Sequence, residues 1–412
     1  MLRRQLLHFG AYTLAGLPVG LARAQDAKPR KLVVVMLRGA VDGLSVVAPY
    51  GERAYAAERQ SIAIGPPGSD DGLLKLDSLF GLHTALSPLK KHWEGGTLAF
   101  VHASGSPDPT RSHFDAQDYL ESGTPGRKST PDGWMNRLLT ALPGEPSPTR
   151  AINQGSTPPR IFAGPAPVAS LGLGPKAMER RAIDNPVTQA ALARLYANDD
   201  ALKATLQETT EGRSEMARSM AAVEREPGSM DPSADAGAQS ARSFAADARR
   251  LGQLIRKDPH TQLAFTSVGG WDTHVNQGGA QGQLANKLAS LGLGLDALAG
   301  GLGDALKDTV IVVMSEFGRT VRQNGNGGTD HGRGNVMWLL GGPVAGGQVL
   351  GEWPGLDTAA LTDGRDLAVR TDFRQVLAAV LQRHLGLNDA GLARVLPQAP
   401  AGWAQSGKLL RA

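Results

Sequence analysis

The sequence predicts an α/β fold of three layers, in which a mostly parallel central sheet carries helices on both faces. Two observations lead to this class. Short, continuous apolar runs of strand length recur along the chain, which is typical of strands buried on both faces of a sheet. Segments with helical periodicity lie between these runs, and strands that alternate with helices form largely parallel sheets.

The predicted sheet contains four buried strands, at residues 31–37, 98–102, 263–268 and 310–314. A helix is expected over residues 284–306, where leucines recur three and four positions apart. A second helix is expected over residues 371–387, which form an amphipathic segment with Thr371 as a plausible N-cap. These elements indicate one large domain with several long connections.

Residues 176–257 differ from the rest in composition. They are rich in Ala, Arg, Glu and Leu, with helical periodicity over 188–206 and again over 241–256. Between these helices, residues 227–237 form a low-complexity break. We therefore predict a helical insertion at about 176–257 within a domain that covers residues 25–412.

The first 24 residues resemble an export signal. Arg3 and Arg4 form a positive start, an apolar stretch follows, and Ala22-Arg23-Ala24 matches an A-x-A cleavage site. The paired arginines indicate a twin-arginine signal, and the apolar stretch is too short and too interrupted to span a membrane. We expect export through the twin-arginine machinery to the periplasm or the medium, with no stable membrane span. An ordinary basic N-terminal helix is the alternative.

Charge and cysteine content exclude several classes of function. The signal carries three arginines and no acid, so the +4 charge of the full chain falls to about +1 once it is removed. A nearly neutral chain without a basic stripe does not indicate a nucleic-acid partner. The chain has no cysteine, which excludes disulfides, thiol catalysis and cysteine-bound metal. A metal site here must use carboxylates, imidazoles, hydroxyls or carbonyls.

Acidic and imidazole side chains follow directly on three of the predicted strands. Asp42 comes after the first strand, Asp272 and His274 after the third, and Glu316 after the fourth. Taken singly, Asp42 is typical of a turn, and Asp272 and His274 of a solvated loop. Because the carboxyl ends of parallel strands meet at one edge of a sheet, the four residues together predict a metal site at that edge.

Two further segments could complete this site. Ser112 and Asp115 are spaced nearly as a capping box, so Ser112 is either a helix cap or a serine nucleophile that benefits from the helix N-terminus. Arg111 beside it is a candidate oxyanion clamp, because guanidinium matches phosphate geometry. His331 precedes an apolar run at 336–340, and it reaches the same edge only if that run is antiparallel.

Six motifs in this order carry a family resemblance: RGAVDGL, RSHFDAQ, GGWDTH, SEFGRT, GTDHG and TDFR. Together with the twin-arginine signal, they resemble the DUF1501 family of exported bacterial proteins, which is placed in the alkaline phosphatase-like superfamily. The resemblance covers essentially the whole mature chain and is weakest in the insertion. It implies an alkaline phosphatase-like version of the three-layer fold.

The resemblance also implies two divalent ions that share a serine or threonine nucleophile. By position, Asp42, Ser112 and Glu316 match the ligands of one ion. Asp272, His274 and His331 match the ligands of the other.

Phe317 stands where the superfamily pattern has a histidine. The first ion is therefore short of a ligand unless His113 or Asp330 replaces it. The resemblance thus implies one or two divalent ions, with Zn, Mn, Mg and Ca all open.

The function that follows is an exported metal-dependent hydrolase of phosphate or related sulfate esters. Its substrate is a small-molecule or polymer ester, with Ser112 as the nucleophile and Arg111 as the clamp. Phe317 motivates an alternative, a non-catalytic exported protein that keeps the fold and one metal for structure or binding.

Overall fold

The computed structural model describes residues 29–174, 182–221 and 238–411. The predicted signal at residues 1–24 and the low-complexity break at 227–237 lie outside the described residues.

A nine-stranded mixed sheet forms the centre of the protein, in the order β11-β5-β10-β9-β1-β8-β6-β7 with β12 paired to β5. A second, three-stranded sheet has the order β2-β4-β3. The strands are β1 Lys31–Leu37, β2 Val47–Ala48, β3 Leu74–Lys75, β4 Gly81–Leu82, β5 Leu98–Gly105, β6 Ala151–Gln154, β7 Ala169–Leu171, β8 Leu263–Val268, β9 Thr309–Ser315, β10 Asn335–Leu340, β11 Gln348–Leu350 and β12 Thr371–Asp372.

Strand direction in the large sheet is mostly parallel. β1 lies between β8 and β9 and is parallel to both. β10 runs antiparallel to both of its neighbours, β5 and β9. This confirms the direction on which the placement of His331 depended, because the start of β10 then lies at the edge where β1, β8 and β9 end.

Helices surround the sheet and connect its strands. They are α1 Gly43–Val46, α2 Arg53–Glu58, α3 Lys90–Glu94, α4 His113–Ser122, α5 Trp134–Ala141, α6 Pro186–Leu195, α7 Asp200–Ala221, α8 Phe244–Lys257, α9 Gln283–Leu302, α10 Phe373–Arg383, α11 Asp389–Val395 and α12 Ser406–Leu409. Short 3-10 segments occur at Thr84–Leu89, Arg160–Phe162, Ala182–Asp184, Gly303–Asp308 and Thr358–Ala360.

The two faces of the sheet bury separate hydrophobic cores. Along β1, Val33 and Val35 join the core formed with α8 and α9. Leu32 and Val34 join the core on the other face, formed with α5 and α10. This alternation follows from the two-residue period of a strand, and it confirms the predicted three-layer α/β class.

The structure differs from the sequence prediction in the region 176–257. α8 packs against α9 in a central core, so this part of the predicted insertion belongs to the main domain. The helix predicted over 188–206 is two helices, α6 and α7. Asp199 separates them, because its carboxylate accepts a hydrogen bond from Leu202 N (3.0 Å) and starts a new helix.

The C-terminal helix also begins differently. Asp372 rather than Thr371 is the N-cap of α10, and it forms a capping box with Gln375. Thr371 instead pairs with Ser104 in the sheet. Among the described residues, no helix is long and apolar enough to cross a membrane.

Two histidines, His83 and His102, are buried beside the small sheet. In each ring Nδ1 accepts a hydrogen bond from a backbone N–H, of Ala85 or Ala103 respectively, and Nε2 faces a backbone carbonyl. Protonation at Nδ1 would break the first bond inside a dry core. Burial accordingly lowers the pKa of both histidines to about 4.

This burial predicts a loss of stability in acid. An unfolded histidine has a pKa of about 6.5, so between pH 6.5 and 4 the unfolded chain binds more protons than the folded one. The free energy of unfolding should therefore fall as the pH falls through this window, by up to about 1.4 kcal/mol per pH unit for each histidine. Replacing His102→Gln should remove one such contribution, measured by urea unfolding at several pH values. The same replacement at the exposed His260 is the control, and an unchanged slope in His102→Gln would contradict this origin.

Candidate metal centre

Polar side chains meet at the edge where β1, β8 and β9 end. Leu37 lies opposite both Val268 and Ser315, so the three following loops leave the sheet side by side. Gly39 (φ +111°) allows their close approach, because a Cβ there would lie 2.9 Å from Asp272 N. The first turn of α4 and the segment before β10 complete the edge.

Two histidines and one aspartate, His113, His331 and Asp272, form a group of side chains that could hold a metal ion, and His274 lies beside it. His331 Nε2 lies 3.1 Å from His113 Nε2 and 3.0 Å from His274 Nε2. The Oδ1 atom of Asp272 lies 3.0 Å from His274 Nε2, 3.3 Å from His331 Nε2 and 3.6 Å from His113 Nε2. Ligand atoms that surround a tetrahedral zinc ion at 2.0–2.1 Å are about 3.3 Å apart, so the spacing of the His113, His331 and Asp272 atoms fits one small metal ion, and His274 contacts two of these three donors.

The opposite nitrogen of each imidazole faces a hydrogen-bond acceptor. His113 Nδ1 lies 2.8 Å from Glu316 Oε1, His331 Nδ1 lies 2.8 Å from the Arg111 carbonyl, and His274 Nδ1 lies 3.1 Å from Asp330 Oδ1. An acceptor at Nδ1 holds the ring proton on that atom. Nε2 is then the nitrogen that each ring offers to a metal, and such partners are typical of histidine ligands.

Charges within the cluster shift the pKa values of its members. Burial opposes the positive charge on His113, but hydrogen bonds to Asp272 and Glu316 outweigh it and raise the pKa of His113 to about 9. Burial likewise opposes the negative charge on Asp272, yet His113, His331 and Arg319 hold the pKa of Asp272 well below its usual range. Without a metal, protons thus supply the positive charge that this cluster requires.

Arg319 is buried behind the cluster and ties its loops together. Its guanidinium donates to the backbone carbonyls of Gly39 and Ala40 and to Asp272 Oδ1. Asp272 is therefore oriented by a fixed cation. This places Arg319 as a structural partner of the cluster.

The structure does not bring Asp42 to the converging atoms. Asp42 is fully buried, and its carboxylate accepts hydrogen bonds from Arg59 (2.5 and 3.0 Å), Ser45 (2.7 Å) and Gln277 (2.7 Å). Burial alone would raise the pKa of Asp42, but the Arg59 guanidinium holds it below its usual range. These bonds occupy both carboxylate oxygens. Asp42 was predicted as a metal ligand, but in the structure it belongs to a buried ion pair.

Glu316 lies behind His113 rather than among the converging atoms. Its buried carboxylate accepts hydrogen bonds from Gly39 N (2.8 Å), Gln117 Nε2 (2.9 Å) and Ser315 Oγ (3.0 Å), in addition to His113 Nδ1. Glu316 is therefore placed to orient the imidazole of His113.

Ser112 and Arg111 lie at the start of α4. The Ser112 hydroxyl accepts a hydrogen bond from Asp115 N (3.4 Å), which is the capping arrangement that the sequence allowed. The Arg111 guanidinium is anchored by Asp366 (2.6 Å) and is one-third exposed. The structure therefore shows both side chains in structural contacts, directly before the potential ligand His113.

Sequence reasoning named His113 only as a replacement ligand. The available signal was a histidine at the first position of a capped helix, and Ser112 beside it offered a more familiar chemistry. Phe317 explains the space that His113 fills, since its ring lies against His113 (4.9 Å between ring centres) and His331 (5.1 Å). An apolar wall thus stands where the superfamily pattern expects a further ligand.

A family model described as a protein of unknown function, DUF1501, matches residues 99–398 of the chain. No curated protein has a sequence that matches the chain.

Several solved structures are similar to the chain at low identity. The zinc complex of the C-terminal periplasmic domain of EcEptC from Escherichia coli has a TM-score of 0.38 and 12% identity, and the match covers 91% of this chain and 88% of that one. A protein in the alkaline phosphatase superfamily from Vibrio parahaemolyticus has a TM-score of 0.36 and 9% identity, over 76% of this chain and 60% of that one. The PsFucS1 sulfatase from Pseudoalteromonas sp. has a TM-score of 0.37 and 12% identity, over 93% of this chain and 72% of that one.

Because Asp42 and Arg59 form a buried ion pair, we expect a single substitution at Asp42 to lower the free energy of unfolding strongly. Asp42→Asn leaves the Arg59 guanidinium buried without a counter-charge, which costs about 3–5 kcal/mol of unfolding free energy. Urea unfolding measures this loss. Glu58→Gln, in the surface pair of Glu58 with Arg322, is the control and should have little effect. An Asp42→Asn variant as stable as the parent would show that the pair does not support the fold.

Proposed function

The chain belongs to the DUF1501 family, and we propose that it is an exported metal-dependent hydrolase of phosphate or related sulfate esters with a single metal ion at this centre. The proposal rests on one observation. His113 and His331, each with Nδ1 against an acceptor, direct Nε2 at Asp272 Oδ1 in a group that could hold a metal ion, and His274 Nε2 lies against His331 and Asp272 beside it.

The donor set narrows the choice of metal. His113, His274 and His331 offer three nitrogens, and Asp272 offers one carboxylate oxygen. Imidazole-rich sets of four suit zinc, whereas magnesium and calcium prefer sites built from oxygen. Zinc is therefore our first choice among the four ions that the sequence left open.

A bound divalent ion would supply a Lewis acid that polarises a phosphoryl or sulfuryl oxygen. In our proposal Ser112 provides the attacking hydroxyl. It lies at the N-terminus of the ten-residue helix α4, where free backbone N–H groups favour an oxyanion. Arg111, which Asp366 holds in place, binds the anionic ester group. The substrate is accordingly an anionic ester, either a small molecule or a polymer.

A non-catalytic metal-binding protein is the second candidate. Two observations favour it, namely the engagement of Ser112 as a helix cap and the engagement of Asp42 by Arg59. Export by the twin-arginine machinery to the periplasm or the medium is part of both proposals, since a preformed metal centre is compatible with export of a folded chain.

Zinc binding tests the centre directly. The full chain, stripped with chelator and titrated with zinc, should bind one ion per chain. His331→Ala should abolish binding, because it removes the nitrogen that touches the other three donors. Glu316→Gln should weaken binding by about 10- to 100-fold, since it removes the charge that holds His113. Asp42→Asn, compared where it is folded, should still bind zinc; two ions per chain, or zinc lost in Asp42→Asn, would instead favour the two-ion arrangement.

Two substitutions distinguish a catalytic role of the Ser112 hydroxyl from its role as a helix cap. Asparagine caps a helix as well as serine does but has no hydroxyl. Alanine has no hydroxyl and does not cap a helix. If Ser112 is the nucleophile, Ser112→Asn and Ser112→Ala should both bind zinc and lose at least 100-fold of the turnover of 4-nitrophenyl phosphate, bis(4-nitrophenyl) phosphate or 4-nitrophenyl sulfate. Parental activity in Ser112→Asn would exclude the nucleophile. A zinc-loaded parent without turnover on any of these esters would favour the non-catalytic protein.

A further inference from the structure

An open cleft of about 640 Å³ lies beside the metal centre. Pro107, Arg333, Thr362 and Arg370 line it, and the first turn of α10 closes one end with Asp372 and Gln375. Arg333 follows two residues after the potential ligand His331. It also lines the small space beside Glu316 and Phe317, the two residues that hold and pack against His113. The cleft thus begins at the wall of the metal centre.

The cleft has an excess of positive charge. Its single lining acid, Asp372, is already paired with Arg374 (2.7 and 3.0 Å) and caps α10. Arg333 and Arg370 have no carboxylate partner among the described residues. The hydrogen bond of Arg333 is to the Pro107 carbonyl (3.3 Å), and its buried Nε has no partner. The buried Nε atoms of Arg38 and Arg111 likewise have no partner, and each such N–H is free to donate to a water, an ion or a ligand.

The other arginines around the centre are different. Arg111 and Arg365 share the buried Asp366, and Arg319 is bound to Asp272. The two cleft arginines therefore differ from these three in having no carboxylate partner among the described residues.

We propose that this cleft binds a second anionic group of the substrate, a phosphate or sulfate remote from the ester that is cleaved. Guanidinium groups bind such oxyanions through paired, charge-assisted hydrogen bonds. Leu361 and Val369, with the alanines and prolines of the lining, give the cleft apolar walls against which the carbon body of the ligand can lie. That the anion belongs to the substrate rests on the proposed function; that the cleft binds an anion does not.

Small sugar anions test the cleft. Binding of glucose 6-phosphate, glucose 6-sulfate and glucose to the full chain is measured by calorimetry, in zinc-loaded and chelator-treated protein. The chelated form has no metal ion to which an anion could bind. Both anions should bind and glucose should not; if only one anion binds, it identifies the charged group that the cleft accepts.

Variants assign the binding to the two arginines. Arg333→Gln and Arg370→Gln should each weaken anion binding about tenfold or more, because each removes a charge-assisted hydrogen bond. Arg333→Lys should weaken it less than Arg333→Gln. Arg383→Gln, at the far end of α10, is the matched control and should bind as the parent does. If Arg333→Gln does not fold, the exposed Arg370 carries the test.

Two results would overturn the proposal that the cleft binds an anion. One is parental binding in the variant that lacks both arginines, and the other is equal affinity for glucose and its anions. Arginine-dependent anion binding in a chain that binds no zinc would overturn the proposed function and leave the cleft. Zinc-dependent ester turnover in a chain whose cleft binds glucose and its anions equally would overturn the cleft and leave the proposed function.

Discussion

Parallel pairing of β1 with both β8 and β9 is the constraint on which the candidate metal centre depends. It brings the loops after all three strands to one edge in step, since Leu37 lies opposite Val268 and Ser315. Arg319 then ties these loops together through carbonyl groups and Asp272. The potential ligands are therefore positioned by the sheet and by a buried cation, which limits the freedom that surface loops would otherwise have.

The buried carboxylates next to the centre each have their own hydrogen-bond partners, and each holds a different part of the structure in place. The Asp42 carboxylate is neutralised by Arg59, which supports the loop after β1. Glu316 is satisfied by His113 and by backbone and amide donors, which fixes a ring in place. An unpaired buried charge is costly, so a carboxylate with a buried partner keeps that partner. This pairing limits which carboxylates can bind a metal ion. A carboxylate that already has a guanidinium partner is a poor metal ligand.

The sequence was most informative where one physical effect dominates. The strands at 31–37 and 263–268 were predicted with the bounds of the structure, because burial on both faces demands an uninterrupted apolar run. The expected approach of His331 to Asp272 and His274 depended on strand direction, because His331 could reach this edge only if the strand at 336–340 ran antiparallel. Asp42 could not be placed in this way, since an acid after a strand can face either the edge or the core. Its partner Arg59 follows a short helix 17 residues later and has no local signature.

His113 and Phe317 determine which side chains reach the candidate metal centre. With phenylalanine at position 317, an apolar ring packs against His113 and His331 in place of a further ligand. His113 fills the remaining gap by directing Nδ1 at Glu316 and Nε2 at His331 and Asp272. Glu316 thereby changes from an expected ligand into an acceptor that orients one. The contacts of His113, Phe317 and Glu316 are thus consistent with one candidate metal position at this edge.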